Sequence, residues 1–378
     1  MTERALAIDY YKIDSTQIRI LILQHGVADD EVVCALVPVY RDEAEYHALS
    51  YEWGAESKDD PDITVHDRKV QIRRNLFDAL RSIRKPMEDQ ILWVDAICIN
   101  QSDVDEKSEQ VAMMGNTFSG AIGVIAWLGP GNDDSDLAID LLSDAKSLRA
   151  SLPSFRKEKY IALSLVINWV RGQRLKLTGG SQSDIKLSRE AKALSSFCHR
   201  SYWRRIWIIQ ELYLAQSFVV WCGAKSITGD NFDDSMGALF DWKSPFNRDK
   251  DFAKNPAYQQ RIARALRPSD SSPGLNDLRR WLWTCLGSDF QCSREQDFVY
   301  ALLDISFDYE AVKDSFKVDY SKPLRVIFLE LLWQRNLSTW QNRPGDEKRW
   351  LSLAKKMNLS IDEDLKGEIS ARFSRHES

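Results

Sequence analysis

The chain has 378 residues and a mass of 43.5 kDa, enough for one large domain or two of ordinary size. A hydrophobic fraction of 44% beside 28% charged residues is that of a water-soluble globular protein. The formal net charge of −5 excludes a general nucleic-acid binder, which needs a basic face to neutralise phosphates; Arg200, Arg204 and Arg205 form no basic run.

Met1 to Asp14 is polar and acidic, without the basic and then apolar order of a signal peptide. The longest apolar stretch, Tyr160 to Val170, is too short to span a bilayer and contains Asn168, so no membrane span is expected. Six cysteines are scattered without a C-x-x-C pair, mostly in apolar surroundings. That usage reads as reduced core cysteine and a cytoplasmic location. Thirteen tryptophans point to a large packed core, or in part to a nucleotide pocket.

In chain order, Gln17 to Leu23 and Glu31 to Val39 read as two strands separated by a turn at His25-Gly26. His47 to Trp53 is a short strand closed by Gly54, and Ile63 to Ile72 a hairpin with Asp67-Arg68 at its tip. Asn75 to Arg84 has helical spacing of apolar residues. Gln90 to Ile97 (QILWVDAI) reads as a strand buried on both faces, and Asn100 to Glu106 as a polar loop entering a helix whose stripe is Val104, Val111, Met114 and Phe118. Gly123 to Leu128 is a second buried strand. Strand, helix and strand in succession predict a crossover and a parallel sheet flanked by helices.

Asp133 to Arg149 and Tyr160 to Val170 look helical, and Gly172 to Ser188 reads as a surface loop. Ala191 to Leu214 is helical with a break near Arg200, and Phe218 to Cys222 is a strand. Beyond Gly229 the pattern is mainly helical, clearest at Asn276 to Leu286, Asp297 to Leu303 and Pro323 to Arg335. After Gly345 a charged tail is expected to be only partly ordered. The organisation expected is an α/β core over residues 1–228 with an insertion at about 131–190, then a mainly helical region over 229–378.

Three Trp-rich blocks carry more information: Tyr46 to Gly54 (YHALSYEWG), Leu92 to Gln101 (LWVDAICINQ) continuing to Trp127-Leu128-Gly129, and Tyr202 to Leu212 (YWRRIWIIQEL). In this order they resemble the signature blocks of the fungal HET (heterokaryon incompatibility) domain. The resemblance extends more weakly over about 15–325, with Arg294 to Ile305 and Asp319-Tyr320-Ser321 similar to the segment that often follows this domain. It implies a role in nonself-triggered programmed cell death, a branch of fungal innate immunity. Self-association and an unidentified sensor or regulatory protein are the partners expected with it.

The HET family has been suggested to be distantly similar to TIR domains, some of which cleave NAD⁺. That comparison implies a TIR-like, flavodoxin-like sheet. Trp207 to Leu212 then resembles the Trp-x-x-x-Glu-Leu turn of TIR hydrolases, which makes Glu211 the catalytic candidate. Tyr51, Trp53, Gly54, Asp95, Arg205 and Trp207 are the substrate-binding candidates, with NAD⁺ as substrate rather than resident cofactor. Cleaving the nicotinamide–ribose bond develops oxocarbenium character that a nearby carboxylate stabilises. Trp207, at i−4 to Glu211, shares its helical face and is placed to shield the carboxylate or stack on a ring. Two other readings stand beside this one. Glu211 can instead form a structural ion pair with Arg204 or Arg205, and the chain can be a non-enzymatic scaffold.

Other constellations are weaker. Asp95 faces the ligand crevice, anchors the loop Cys98 to Gln101, or pairs with an arginine. Asp103, Asp105, Glu106 and Glu109 fit a helix start better than a metal site, so no metal is expected. Ser50, His47 and Asp95 make a poor triad: there is no G-x-S-x-G elbow, and 47 and 50 face opposite sides of a strand. Gly223 to Ser226 is a turn rather than a P-loop, and Cys198-His199 lacks the further ligands a zinc site needs.

Overall fold

The computed structural model describes residues 6, 8–27, 29–150, 189–240, 256–265, 277–334 and 345–374. One sheet organises the first two thirds. Its strands are β1 (Gln17–Leu23), β2 (Val33–Tyr40), β3 (His47–Tyr51), β4 (Asp62–Val65), β5 (Arg68–Gln71), β6 (Gln90–Trp93), β7 (Gly123–Trp127), β8 (Phe218–Cys222) and β9 (Lys225–Thr228), in the order β5-β4-β2-β1-β6-β3-β7-β8-β9.

The four central strands, β6-β3-β7-β8, are all parallel. Numbered by chain position among themselves they run 2-1-3-4, which is the beginning of the flavodoxin-like order. β7 is buried at all five residues, as the near-continuous apolar run GVIAW requires of a strand covered on both faces. The flanks are mixed: β1 runs antiparallel to β2 and β6, β4 to β5, and β9 to β8, while β2 and β4 pair in parallel. The sheet is therefore mixed around a parallel core. Two-residue turns make the antiparallel edges possible. At His66-Asp67 both residues have positive φ, the geometry of a primed hairpin turn, which moves the tip one residue before Asp67-Arg68. At the other edge Gly223, at φ +58°, turns β8 into β9. A Cβ there would lie 2.6 Å from the Gly131 backbone, so only glycine fits.

The helices of this part are α1 (Arg74–Ile83), α2 (Asp95–Cys98), α3 (Val104–Ala112), α4 (Met114–Gly120), α5 (Asp133–Ala150), α6 (Arg189–Cys198) and α7 (Trp207–Leu214). The Ala191 to Leu214 segment breaks at Arg200 as its sequence suggests, through a 3-10 turn at Ser201–Arg204. The expected strand Gln90 to Ile97 stops at Trp93, and Asp95 opens the one-turn helix α2 instead of interrupting a strand. The Tyr160 to Val170 helix and the Gly172 to Ser188 loop lie outside the described residues.

Beyond β9 the chain is helical: α8 (Gly229–Phe240), α9 (Pro256–Ala265), α10 (Leu278–Leu286), α11 (Asp297–Tyr300), α12 (Leu324–Trp333), α13 (Asp346–Lys356) and α14 (Glu363–Ser374). The charged tail is more ordered than its composition suggests. Trp350, Leu353, Met357, Leu365 and Ile369 give α13 and α14 an apolar stripe that is buried against α10 and α12. Two apolar cores result. The first surrounds the sheet and takes in Phe232 and Met236 of α8; the second lies among α10 to α14. Helix α7 is shared: Ile208 and Leu212 enter the first core, Ile209 and Tyr213 the second.

Candidate functional site

The chain leaves β3 to one side to form β6, then returns past it to form β7 on the other. In open parallel sheets the crevice at the carboxyl ends of the strands flanking such a reversal is where ligands bind. Here those ends are Tyr51 of β3, Trp93 of β6 and Trp127 of β7, and polar side chains gather beside them.

Ser50 lies on the face of β3 opposite Leu49 and Tyr51, and is turned toward α7. Its hydroxyl donates to a Glu211 carboxylate oxygen, and it is 2.7 Å from the Tyr202 hydroxyl. The second Glu211 oxygen is 3.6 Å from an Arg205 guanidinium nitrogen. Glu211 is only 2% exposed, and burial raises its pKa above the ordinary carboxylate range although Arg205 and Ser50 pull the other way. Asp95 is half-buried. It accepts from the Trp53 indole N–H at 2.9 Å and the Ala96 amide at 2.7 Å, and burial raises its pKa against the pull of Arg205. Burial works against the charge on Arg205, but Glu211 and Asp95 outweigh it and raise the guanidinium's pKa. One Arg205 nitrogen, Nη1, is buried without a hydrogen-bond partner. A carboxylate on each side of one arginine is thus the electrostatic frame of the site.

Of the residues the sequence singles out, the structure brings Glu211, Arg205, Asp95, Tyr51, Trp53 and Gly54 to this end of the sheet. Gly54 has φ +76° and its carbonyl accepts from Arg73 at 3.1 Å, while the same arginine lies over the Trp53 ring at 5.1 Å. Trp207 is at i−4 to Glu211 but packs between the two cores, where its side chain bonds Asp297. Arg205 rather than Arg204 is the partner of Glu211, and Asp95 also anchors Gln101, whose side-chain nitrogen bonds the Asp95 carbonyl at 2.9 Å.

The acidic run acts as a cap. Asp103 accepts from the amides of Asp105 and Glu106, and Glu106 turns inward to pair with Arg19 at 2.6 Å. His47 takes no part in the Ser50 cluster.

Ser50 and Tyr202 are members of the site that their residue types alone do not reveal. The signal was a hydroxyl in an otherwise apolar strand, whose parity places it on the face of Ala48. A cavity of about 50 Å³ lies at the Tyr51 end of β3, lined by Leu6, Tyr51, Trp53, Ile72, Arg73, Leu76, Ala96 and Gln101. The Gln101 side-chain oxygen is buried without a partner.

The family model described as heterokaryon incompatibility protein (HET) matches residues 46–211. Its limits fall at Tyr46, which begins the first signature block, and at Glu211. Heterokaryon incompatibility protein 6, OR allele, of Neurospora crassa is 29% identical over 241 residues, covering 57% of this chain and 34% of that protein. The match thus spans about a third of the relative's length. No solved structure matches the chain. Among the described residues no helix is long and apolar enough to cross a membrane. Residues 46–211, which take in the three signature blocks, are thus similar to the HET domain, and the chain is similar to the Neurospora heterokaryon incompatibility protein.

Proposed function

We propose that this chain acts in fungal heterokaryon incompatibility as an effector of nonself-triggered cell death, and that it does so by hydrolysing NAD⁺ in a TIR-like manner. The observation that carries this reading is the placing of Glu211: a buried carboxylate of raised pKa, held by Ser50 and Arg205 at the carboxyl ends of the strands that flank the reversal in strand order.

In the reaction the bond between the nicotinamide nitrogen and ribose C1′ breaks, its electron pair leaves with neutral nicotinamide, and water adds to C1′ with loss of a proton. ADP-ribose and nicotinamide result. The ribose passes through an oxocarbenium-like state that an adjacent carboxylate stabilises, and Glu211 supplies that charge. Arg205 and Ser50 pull the Glu211 pKa back down against the rise that burial causes, and Ser50 bonds its carboxylate. Asp95 and Trp53 then border the ring of the substrate, with Tyr51 and Gly54 beneath.

The cavity of about 50 Å³ is far below the ~300 Å³ or more that ligand sites of this kind occupy. Turnover therefore requires the site to open, which fits an effector released by a sensor protein and by self-association in the cytoplasm. A second reading, a non-enzymatic scaffold, has one observation in its favour: in the closed form both Glu211 oxygens already have partners.

Expression of the wild-type chain and of Glu211→Gln in fungal cells separates the two readings. The enzymatic reading predicts that wild type depletes cellular NAD⁺ before viability falls, and that Glu211→Gln accumulates to the same level without either effect. Death with NAD⁺ unchanged would favour the scaffold.

A further inference from the structure

The wall of the cleft is completed by a segment that belongs to none of the sheet or helix elements. Leu6 shares the cavity with Tyr51, Trp53, Ala96 and Gln101. From there the chain continues through Ile8 and Tyr10, both half-buried against the first core, to the buried Ile13, and then enters β1. Arg19 of β1 ties this segment down. It is 2% exposed, and its Nε donates to the Tyr11 carbonyl at 3.2 Å while Nη2 reaches the same oxygen. Its guanidinium also lies over the Tyr10 ring at 4.8 Å. Meanwhile Nη1 bonds the Cys98 carbonyl at 3.1 Å, and Nη1 and Nη2 grip Glu106 at 2.6 and 2.9 Å. One arginine therefore holds both the segment over the cleft and the loop that carries Gln101.

We propose that Leu6 and residues 8–13 form an autoinhibitory strap whose Leu6 side chain occupies the ligand slot of the HET domain. This rests on the reading of the cleft as the substrate site. Leu6 is apolar and lies beside two aromatic side chains, the place a planar ring would take. One buried polar atom of the cavity wall, the Gln101 side-chain oxygen, has no partner while it is there. Buried polar atoms are rarely left unpaired, and a ligand that presents a donor would satisfy it. An aliphatic side chain does not. The described residues of the strap have no strand or helix of their own, so it lifts without unfolding the sheet. Arg19 keeps its grip on Glu106 and the Cys98 carbonyl when the strap leaves, so the loop stays in place.

The test uses the full chain. Ala96→Cys places a thiol in the cavity wall, and its reaction with iodoacetamide is followed by intact mass, with the native cysteines as background. The strap predicts slow labelling, accelerated at least about tenfold when Leu6→Ser is added, because truncating a leucine-sized apolar side chain removes most of what holds the plug. Leu6→Met should label like the parent, and thermal melts check that all variants fold. Equal labelling rates with and without Leu6→Ser overturn the strap, whatever the substrate is. NAD⁺ titrated into Glu211→Gln, with and without Leu6→Ser, then addresses the slot's occupant. A gain of about tenfold or more in affinity is expected. Faster labelling with no gain would leave the strap standing and remove NAD⁺ as the ligand of the slot.

Discussion

Replacing Arg205 by methionine tests the electrostatic frame of the site. The guanidinium lies 3.6 Å from a Glu211 oxygen, and their side chains are 19% and 2% exposed. At that distance, with an effective dielectric of about 20, the attraction is roughly 4–5 kcal/mol. Methionine keeps much of the apolar stem but leaves Glu211 buried without its cation. Removing one partner of a buried pair typically costs about 3–5 kcal/mol. Glu211→Gln should cost less, because the amide oxygen still accepts from Ser50 and the buried charge is gone. The double variant should then be more stable than the sum of the single losses by about 2 kcal/mol or more. Chemical denaturation of the three variants and the parent gives the coupling. Additive losses would show that Arg205 does not serve Glu211, and the account of how the carboxylate is held would fail.

Four further outcomes follow from other contacts. Asp304 joins the two cores, accepting from the Gly115 amide and the Gln210 side chain, each at 2.9 Å, and burial raises its pKa to about 6. Because the folded value exceeds the unfolded 3.8, the folded state keeps this proton where the unfolded chain has lost it. This group's contribution to stability therefore falls as pH rises from about 4 to 6, by about 2 kcal/mol after allowing for partial exposure. Asp304→Asn should remove that dependence, seen as a pH-dependent difference from wild type in denaturation curves; parallel curves would refute it. Gly115→Ala should destabilise by about 1–3 kcal/mol, since its Cβ would stand 2.5 Å from the Asp304 carboxylate. Gly367→Ala, on the exposed side of α14 with nothing within 4 Å, should instead stabilise the fold by up to about 1 kcal/mol, seen as a higher melting temperature. Ser50→Ala removes a bond to Glu211 and the partner of the buried Tyr202 hydroxyl, at a cost of about 1–3 kcal/mol, checked by a thermal melt.

Much of this fold could be read from periodicity. The central strands are continuous apolar runs, and the signature blocks supply the turns and polar positions at their carboxyl ends. The mixed edges were less legible, because pairing direction depends on partners far apart in sequence: nothing in Gln17 to Leu23 says that it lies antiparallel to Gln90 to Trp93. Asp95 was visible as a polar residue after an apolar run, but its short helix was not, since four residues carry no period. The tail misled for a different reason. Its charges dominate the composition, yet Trp350, Leu353, Met357, Leu365 and Ile369 bury a stripe that composition averages away. At the site, Glu211 and Arg205 were legible as a motif. Ser50, Tyr202 and Leu6 were not, because their roles come from contacts across the fold.

The most direct test of the account is NAD⁺ turnover by purified protein at high concentration, followed as release of nicotinamide and ADP-ribose. Wild type and Leu6→Ser would be compared, each with and without Glu211→Gln. The account predicts products from wild type, more from Leu6→Ser, and none from either Glu211→Gln protein although both melt as folded chains. No turnover by any of the four folded proteins, or turnover that persists without the Glu211 carboxylate, would contradict it.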